Sequence, residues 1–386
     1  MSTTQISRRS FVGKIAAAGA AGAAGSALVS QFAASASERP PELPSAEQGA
    51  IEKIAREFLQ RFKVPGMAIA VSHDGKLVLN RGFGVADETT GAAVTPEHLF
   101  RIASVSKPIT SVTVFKLIEQ GRLGLDDLVF GEKGRLGSDF GAALPERVRE
   151  ITVRHLLTHT CGGWQNKAAD PMFMHPAMGH RELIAWAIAN QPLAHAPGTS
   201  YAYSNFGYCI LGRVIEKITG QPYAQAVQRM VLGKCGVHAM RIASNTRAER
   251  QPDEVTYYSS GAGDPYGMNV ARMDSHGGWL ARASDLVQFA LRVDAFPNPP
   301  DILREETLRT MTTHSALSES YACGWAVNKA GHWWHNGSLP GTASILVRTS
   351  SGLCWAGITN SRGPGLDTEL DHMIWRIARA VPDWRA

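Results

Sequence analysis

The sequence has few cysteines and scatters them. Cys161, Cys209, Cys235, Cys323 and Cys354 never form the Cys-x-x-Cys pair that zinc and redox sites use. Their odd count leaves at least one thiol free, and their spacing leaves any pairing open. There is no block of like charge and no basic stripe interleaved with aromatics, so the electrostatic footprint of a nucleic-acid binder is missing, as is that of a membrane-surface protein. Gly82-Phe83-Gly84 lacks the third glycine of a dinucleotide loop and reads as a strand irregularity. His155 and His159 stand four apart, but Leu156 follows His155 where a zinc protease carries Glu, so a structural role is expected and no metal site. No internal repeat is present, and no cofactor has a binding signature.

The chain opens with Ser7-Arg8-Arg9-Ser10-Phe11-Val12 before an Ala/Gly-rich apolar run from Ile15 to Val29. That run of about 15 residues is shorter than the roughly 20 a bilayer span needs. Together with the small residues Ala34-Ser35-Ala36, it reads as a twin-arginine signal over residues 1–36. The expectation is an exported protein, periplasmic or secreted, with no stable membrane span in its mature form. Removing Arg8, Arg9 and Lys14 leaves the remainder nearly balanced in charge. With 44% hydrophobic and 19% charged residues there is enough apolar material for a sizeable core, and 386 residues suit two lobes sharing one cleft.

Ser45 is a candidate cap for a helix whose Ile51, Ile54, Phe58 and Leu59 recur at helical spacing. Met67 to Val71 and Leu77 to Asn80 read as strands of a hairpin turning at Asp74-Gly75. From Pro108 to Gln120, Ile109, Val112, Phe115 and Ile118 form one helical stripe that Gly121 stops. Helical patterns follow over 153–159, 181–189, 206–218 and 223–231, and strand patterns return over 324–327, 333–335, 344–349 and 354–359 before a helix over 368–380. The fold class expected is α+β: an antiparallel sheet flanked by helices, built from about 45–125 and 283–386, with a mainly helical lobe of about 126–282 inserted.

Ser104 and Lys107 stand three apart at the entrance of the 108–120 helix, so their side chains share one face about 5 to 6 Å apart. A serine needs an adjacent base to become a nucleophile, and a desolvated lysine can be that base if its pKa falls. One Ser-x-x-Lys is expected by chance in a chain of this length. Two further segments give it weight: Pro197-Gly198-Thr199-Ser200-Tyr201-Ala202-Tyr203-Ser204-Asn205-Phe206-Gly207 and Trp334-His335-Asn336-Gly337-Ser338-Leu339-Pro340-Gly341.

In that order and rough spacing, these segments resemble the serine hydrolase superfamily of class C β-lactamases, penicillin-binding DD-peptidases and their esterase and D-aminopeptidase relatives. The likeness spans nearly all of residues 37–386, with Gly124-Leu125-Asp126-Asp127, Ile151 to Thr160, and Leu211-Gly212 through Thr219-Gly220 similar to the connecting segments. It implies that Ser104 is acylated, that Lys107 and Tyr203 move protons, that Asn205 orients substrate, and that His335-Asn336-Gly337 stands where relatives carry Lys-Thr-Gly or His-Thr-Gly. It also implies an oxyanion hole made by the backbone N–H groups of Ser104 and Ser338, with Gly337 allowing close backbone approach. Proximity to Lys107 is expected to lower the pKa of Tyr203, which would allow a phenolate base, and whether Lys107 or Tyr203 takes the Ser104 proton stays open.

Asn336 departs from the hydroxyl residue of the relatives, and His335 is neutral over much of the physiological range, so less positive charge is offered to a substrate carboxylate. The function implied is a serine hydrolase acting through a Ser104 acyl-enzyme on an amide, lactam or ester of a small molecule or peptide. An esterase of small neutral esters and a non-turnover binder of penicillin or cell-wall fragments are the alternatives. Met172, Phe173, Met174 and Met178 with His175 and His180 are expected to pack rather than line a pocket. Of Trp333 and Trp334, one is expected at the cleft and one in the core.

Overall fold

The computed structural model describes residues 40–384, apart from 142, 260 and 262. The export signal read over residues 1–36 lies outside the described residues. Helix α1 (Ser45–Phe62) buries Ile51, Ala55 and Phe58 and ends at Lys63, which takes a left-handed conformation. Pro44, not Ser45, occupies its cap position, and no side chain caps it. Strands β1 (Gly66–His73) and β2 (Lys76–Asp87) form the expected hairpin, with Asp74 and Gly75 both at positive φ, as a tight two-residue turn requires.

Strands β3 (Ala92–Ala93) and β4 (Phe100–Arg101) lead into helix α2 (Ser106–Glu119). Helices α3 (Glu146–Arg149), α4 (Val153–Leu157), α5 (His180–Asn190), α6 (Asn205–Thr219) and α7 (Tyr223–Met230) follow. Then come β5 (Arg241–Ile242), β6 (Trp279–Ala281), α8 (Ala283–Ala290) and α9 (Glu305–Thr312). Strands β7 (Ala326–Val327), β8 (Trp333–Leu339), β9 (Thr342–Arg348) and β10 (Leu353–Thr359) precede helix α10 (Leu366–Ala380).

Seven strands form an antiparallel sheet in the order β3-β2-β1-β10-β9-β8-β7, so the hairpin near the start of the fold is completed by strands from its end. Strand alternation divides the sheet between two cores. Met67, Ile69 and Val71 of β1 and Trp355 of β10 face α1 and α10, meeting Ile51, Phe58, Leu370 and Ile374. Ala68, Ala70, Ala356 and Ile358 face the other way, into a larger core shared with α2, α6 and α8. A small second sheet, β4-β6-β5, anchors the approach to α2.

Helix α2 is not the amphipathic helix its stripe suggested. It is buried nearly all round, and its polar residues find partners inside: Ser111 Oγ donates to the Cys323 carbonyl at 2.6 Å and Thr110 Oγ1 to that of Ser275 at 2.6 Å. Trp333 packs against one core and Trp334 against the other, so neither reaches the cleft as expected. All five cysteines are buried and unpaired. Among the described residues no helix is long and apolar enough to cross a membrane.

Candidate active site

Ser104 sits in a single 3-10 turn, Ala103–Val105, directly before α2. Ala103 has φ +46°, a left-handed conformation uncommon for a residue with a side chain, so the backbone turns sharply just before Ser104. Strand β9 holds this approach. Thr342 Oγ1 donates to the Arg101 carbonyl and Ser344 Oγ to that of Ile102, each at 2.7 Å. Strand β8 then lies close because Gly337 has no side chain: a Cβ there would stand 2.3 Å from the Ile102 carbonyl oxygen. That close approach brings Ser338 and Ser104 onto the walls of one cleft of about 300 Å³, shared with Asn166, Phe173, Leu339 and Arg362.

Lys107, one turn into α2, is fully buried. Its Nζ lies 3.1 Å from Ser104 Oγ and donates to Asn205 Oδ1 at 2.8 Å and to the His276 carbonyl at 3.1 Å. Burial holds its pKa well below the ordinary lysine range, opposed by the Asp170 carboxylate. A neutral amine has two N–H groups and one lone pair. With both N–H groups spent on acceptor-only oxygens, the lone pair faces the Ser104 hydroxyl.

Tyr203 hydrogen-bonds Ser104 through its side chain, and its ring lies 4.7 Å from Lys107 Nζ. Its position is as expected, but its acidity is not. Burial pushes the phenol pKa well up, overriding the lowering by the Ser104 hydrogen bond, and the neighbouring Tyr201 and Asp170 push in the same direction as burial. That shift keeps the Tyr203 proton in place at neutral pH and favours Lys107 of the two bases the sequence left open.

Asn205, capped into the first turn of α6 by Ser204, spends both ends of its amide inside the protein: Oδ1 on Lys107 and Nδ2 on Asp170 Oδ2 at 2.7 Å. Asp170 is fully buried, and its other oxygen accepts the Met172 N–H at 2.9 Å. Burial raises its pKa to about 6. The sequence reading missed Asp170. Its signal was Asp170-Pro171, an Asx-capped turn before proline.

His335 is buried, with Nε2 3.1 Å from the Tyr321 hydroxyl and Nδ1 2.6 Å from the Asn336 carbonyl. Burial, then Lys107, lowers its pKa to about 3, so it is neutral at working pH. Asn336 lies on the exposed side of β8 with Ser338 and donates to the Asp367 carboxylate of α10, which lines the hollow next to the Ser104 cleft. His155 Nδ1 accepts the Thr152 N–H at the start of α4, and His159 lies beyond that helix with φ +57°, so the four-residue spacing brings no ligand pair together. His159 Nδ1 instead accepts the Ser204 N–H at 3.1 Å, and its ring packs 4.2 Å from that of Tyr203.

A family model described as Beta-lactamase matches residues 51–379. The chain belongs to the beta-lactamase family. Among curated relatives, this beta-lactamase family member is 24% identical over 313 residues to Protein flp of Staphylococcus aureus (strain N315), covering 79% of this chain and 61% of that protein. It is 30% identical over 242 residues to Esterase EstB of Burkholderia gladioli, covering 59% of each. The chain thus spans about three fifths of the length of these relatives. The D-amino acid amidase of Ochrobactrum anthropi SV3 shares the fold, with a TM-score of 0.72 and 21% identity over 89% of this chain and 100% of that one.

Proposed function

We propose that this beta-lactamase family member is a serine hydrolase that opens an amide or ester through a Ser104 acyl-enzyme. The observation that carries the reading is the fully buried Lys107 amine, with both N–H groups committed and its free position facing Ser104 Oγ. In the mechanism, Lys107 takes the Ser104 proton as Oγ attacks the carbonyl carbon. The backbone N–H groups of Ser104 and Ser338 receive the oxyanion. Tyr203, still protonated, gives its proton to the leaving nitrogen or oxygen and recovers one from Lys107. Water then releases the acyl group by the same proton path in reverse.

Esterase EstB and the D-amino acid amidase support an ester or amide as substrate. A neutral His335 and an outward Asn336 offer a substrate carboxylate no charge, which favours neutral substrates. One observation favours a second reading: Arg362 lines the Ser104 cleft and the adjoining hollow of about 680 Å³, a cation within reach of an acidic lactam or cell-wall peptide. We read residues 1–36 as directing export by the twin-arginine route.

The test is intact mass and product release for wild type and Ser104→Ala with a β-lactam and with a neutral short-chain ester. Adduct and turnover are expected in wild type only, with the variant folded by circular dichroism. Retained turnover in Ser104→Ala refutes the mechanism. Preference for the lactam, lost in Arg362→Ala, selects the second reading.

A further inference from the structure

Beside the Ser104 cleft lies a second hollow of about 220 Å³, walled by Met172, Phe173, Pro176, Met268 and Pro340. Phe173 and Pro340 line both spaces, so the hollow adjoins the nucleophile's cleft. Phe173 leaves 47% of its surface to water and is one of two large hydrophobic side chains exposed among the described residues. The sequence reading assigned this stretch to ordinary packing. Met172 does pack, but Phe173 does not.

The polar groups around the hollow are largely engaged elsewhere. The two terminal nitrogens of the Arg272 guanidinium donate to the carbonyls of Met172, Met174, His175 and Met178, which fixes the loop that presents Phe173. Asn269 donates to the Pro176 carbonyl and accepts the Arg272 N–H. Asp264 accepts the Tyr266 N–H. The hollow thus has an apolar side, made by Met172, Phe173, Pro176, Met268 and Pro340, beside a polar rim of Asp264, Asn269 and Arg272, a combination usual in small-molecule subsites. An apolar cavity of about 150 Å³ holds benzene, so this one has room for a ring.

The turn that carries Phe173 is also tied to the catalytic groups. Asp170 accepts the Met172 N–H with one carboxylate oxygen, the Phe173 N–H with its backbone carbonyl, and Asn205 Nδ2 with the other carboxylate oxygen. One buried residue therefore sets both the height of the Phe173 ring and the amide that grips Lys107.

We propose that this hollow is a subsite for an aryl or branched alkyl group carried beside the carbonyl that Ser104 attacks. The inference rests on the serine-hydrolase reading above. The Phe173 ring supplies an offset or edge contact, and the methionines adapt to the group's outline.

The test uses two phosphonofluoridate probes that differ only in a methyl or benzyl substituent, with labelling of Ser104 followed by intact mass. Wild type is expected to react at least about tenfold faster with the benzyl probe, the lower end of what apolar pocket contacts give. Phe173→Ala is expected to bring the benzyl-to-methyl ratio severalfold closer to one. Met268→Ala, on a separate stretch of chain, is expected to do the same more weakly. Equal labelling by both probes in wild type, or a ratio untouched by Phe173→Ala, overturns the subsite and leaves the serine mechanism standing. No labelling by either probe overturns both.

Discussion

At Lys107 three oxygens surround one buried amine, and the proton on that amine sets the pH dependence of the reaction. Because burial lowers its pKa, kcat/KM is expected to rise with pH through a value well below that of a free lysine. Asp170 opposes that shift, so Asp170→Asn should move the acid limb to lower pH while lowering the rate through the loosened Asn205. Stopped assays from pH 4 to 10 read both effects, and an unmoved limb would reduce Asp170 to a structural role. Tyr203→Phe removes the proton donor and should cost about 10² to 10⁴ in kcat, the range for a general acid; a loss under about threefold takes Tyr203 off the path. Ser104 and Lys107 were readable because one helical turn joins them. Asp170 and the His276 carbonyl were not, since they lie 63 and 169 residues from Lys107 and meet it only after folding. Asn336 shares a face of β8 with Ser338, and its tie to Asp367 on α10 could not be read because 31 residues separate the two.

Among the elements, β8 depends on one missing side chain. In Gly337→Ala the new methyl would overlap the Ile102 carbonyl and Ser344 Oγ, each 2.3 Å away, so β8 must move off the Ser104 turn. A melting temperature several degrees lower and loss of acylation by mass are expected together; unchanged values in both would show that the turn yields without consequence. The connection between α8 and α9 holds a different stress. Asp294 is buried near Asp301, which raises its pKa to about 7, chiefly by burial. A folded-state pKa above the unfolded value near 3.9 gives stability that is full at low pH and lost as pH rises through about 7. Asp294→Asn keeps an acceptor for the Phe296 N–H, so its melting temperature should fall less than that of wild type between pH 4 and 8. The longer strands and helices were legible from periodicity, including the β1–β2 hairpin and α6. Strands as short as β4, β5 and β6 carry no period to read, and α8 and α9 went unread among irregular stretches. Burial on every side hid the true setting of α2, which a surface stripe had seemed to explain.

For the molecule as a whole, stability rests on two cores on either side of one sheet and not on cross-links. All five thiols are buried and unpaired, with burial raising the pKa of Cys161 to about 11 and that of Cys209 to about 12. A thiol reagent should therefore label none of them in the folded protein and all five in denaturant, and a reductant should leave the melting temperature unchanged; a drop on reduction would reveal a disulfide. The sequence could leave pairing open but could not resolve it, because the distances between cysteines are set only by the assembled core.

The central strand β1 pairs with β2 on one side and with β10 on the other, and Ser72 and its partner Cys354 are 282 residues apart. At roughly 5 to 20 residues per second, a ribosome takes about 15 to 55 s to cover that interval. For most of it the β1–β2 hairpin exists with one edge open and a hydrophobic face on each side. The open edge of β1 therefore waits through most of synthesis for its partner, and the sheet can close only when translation is nearly complete.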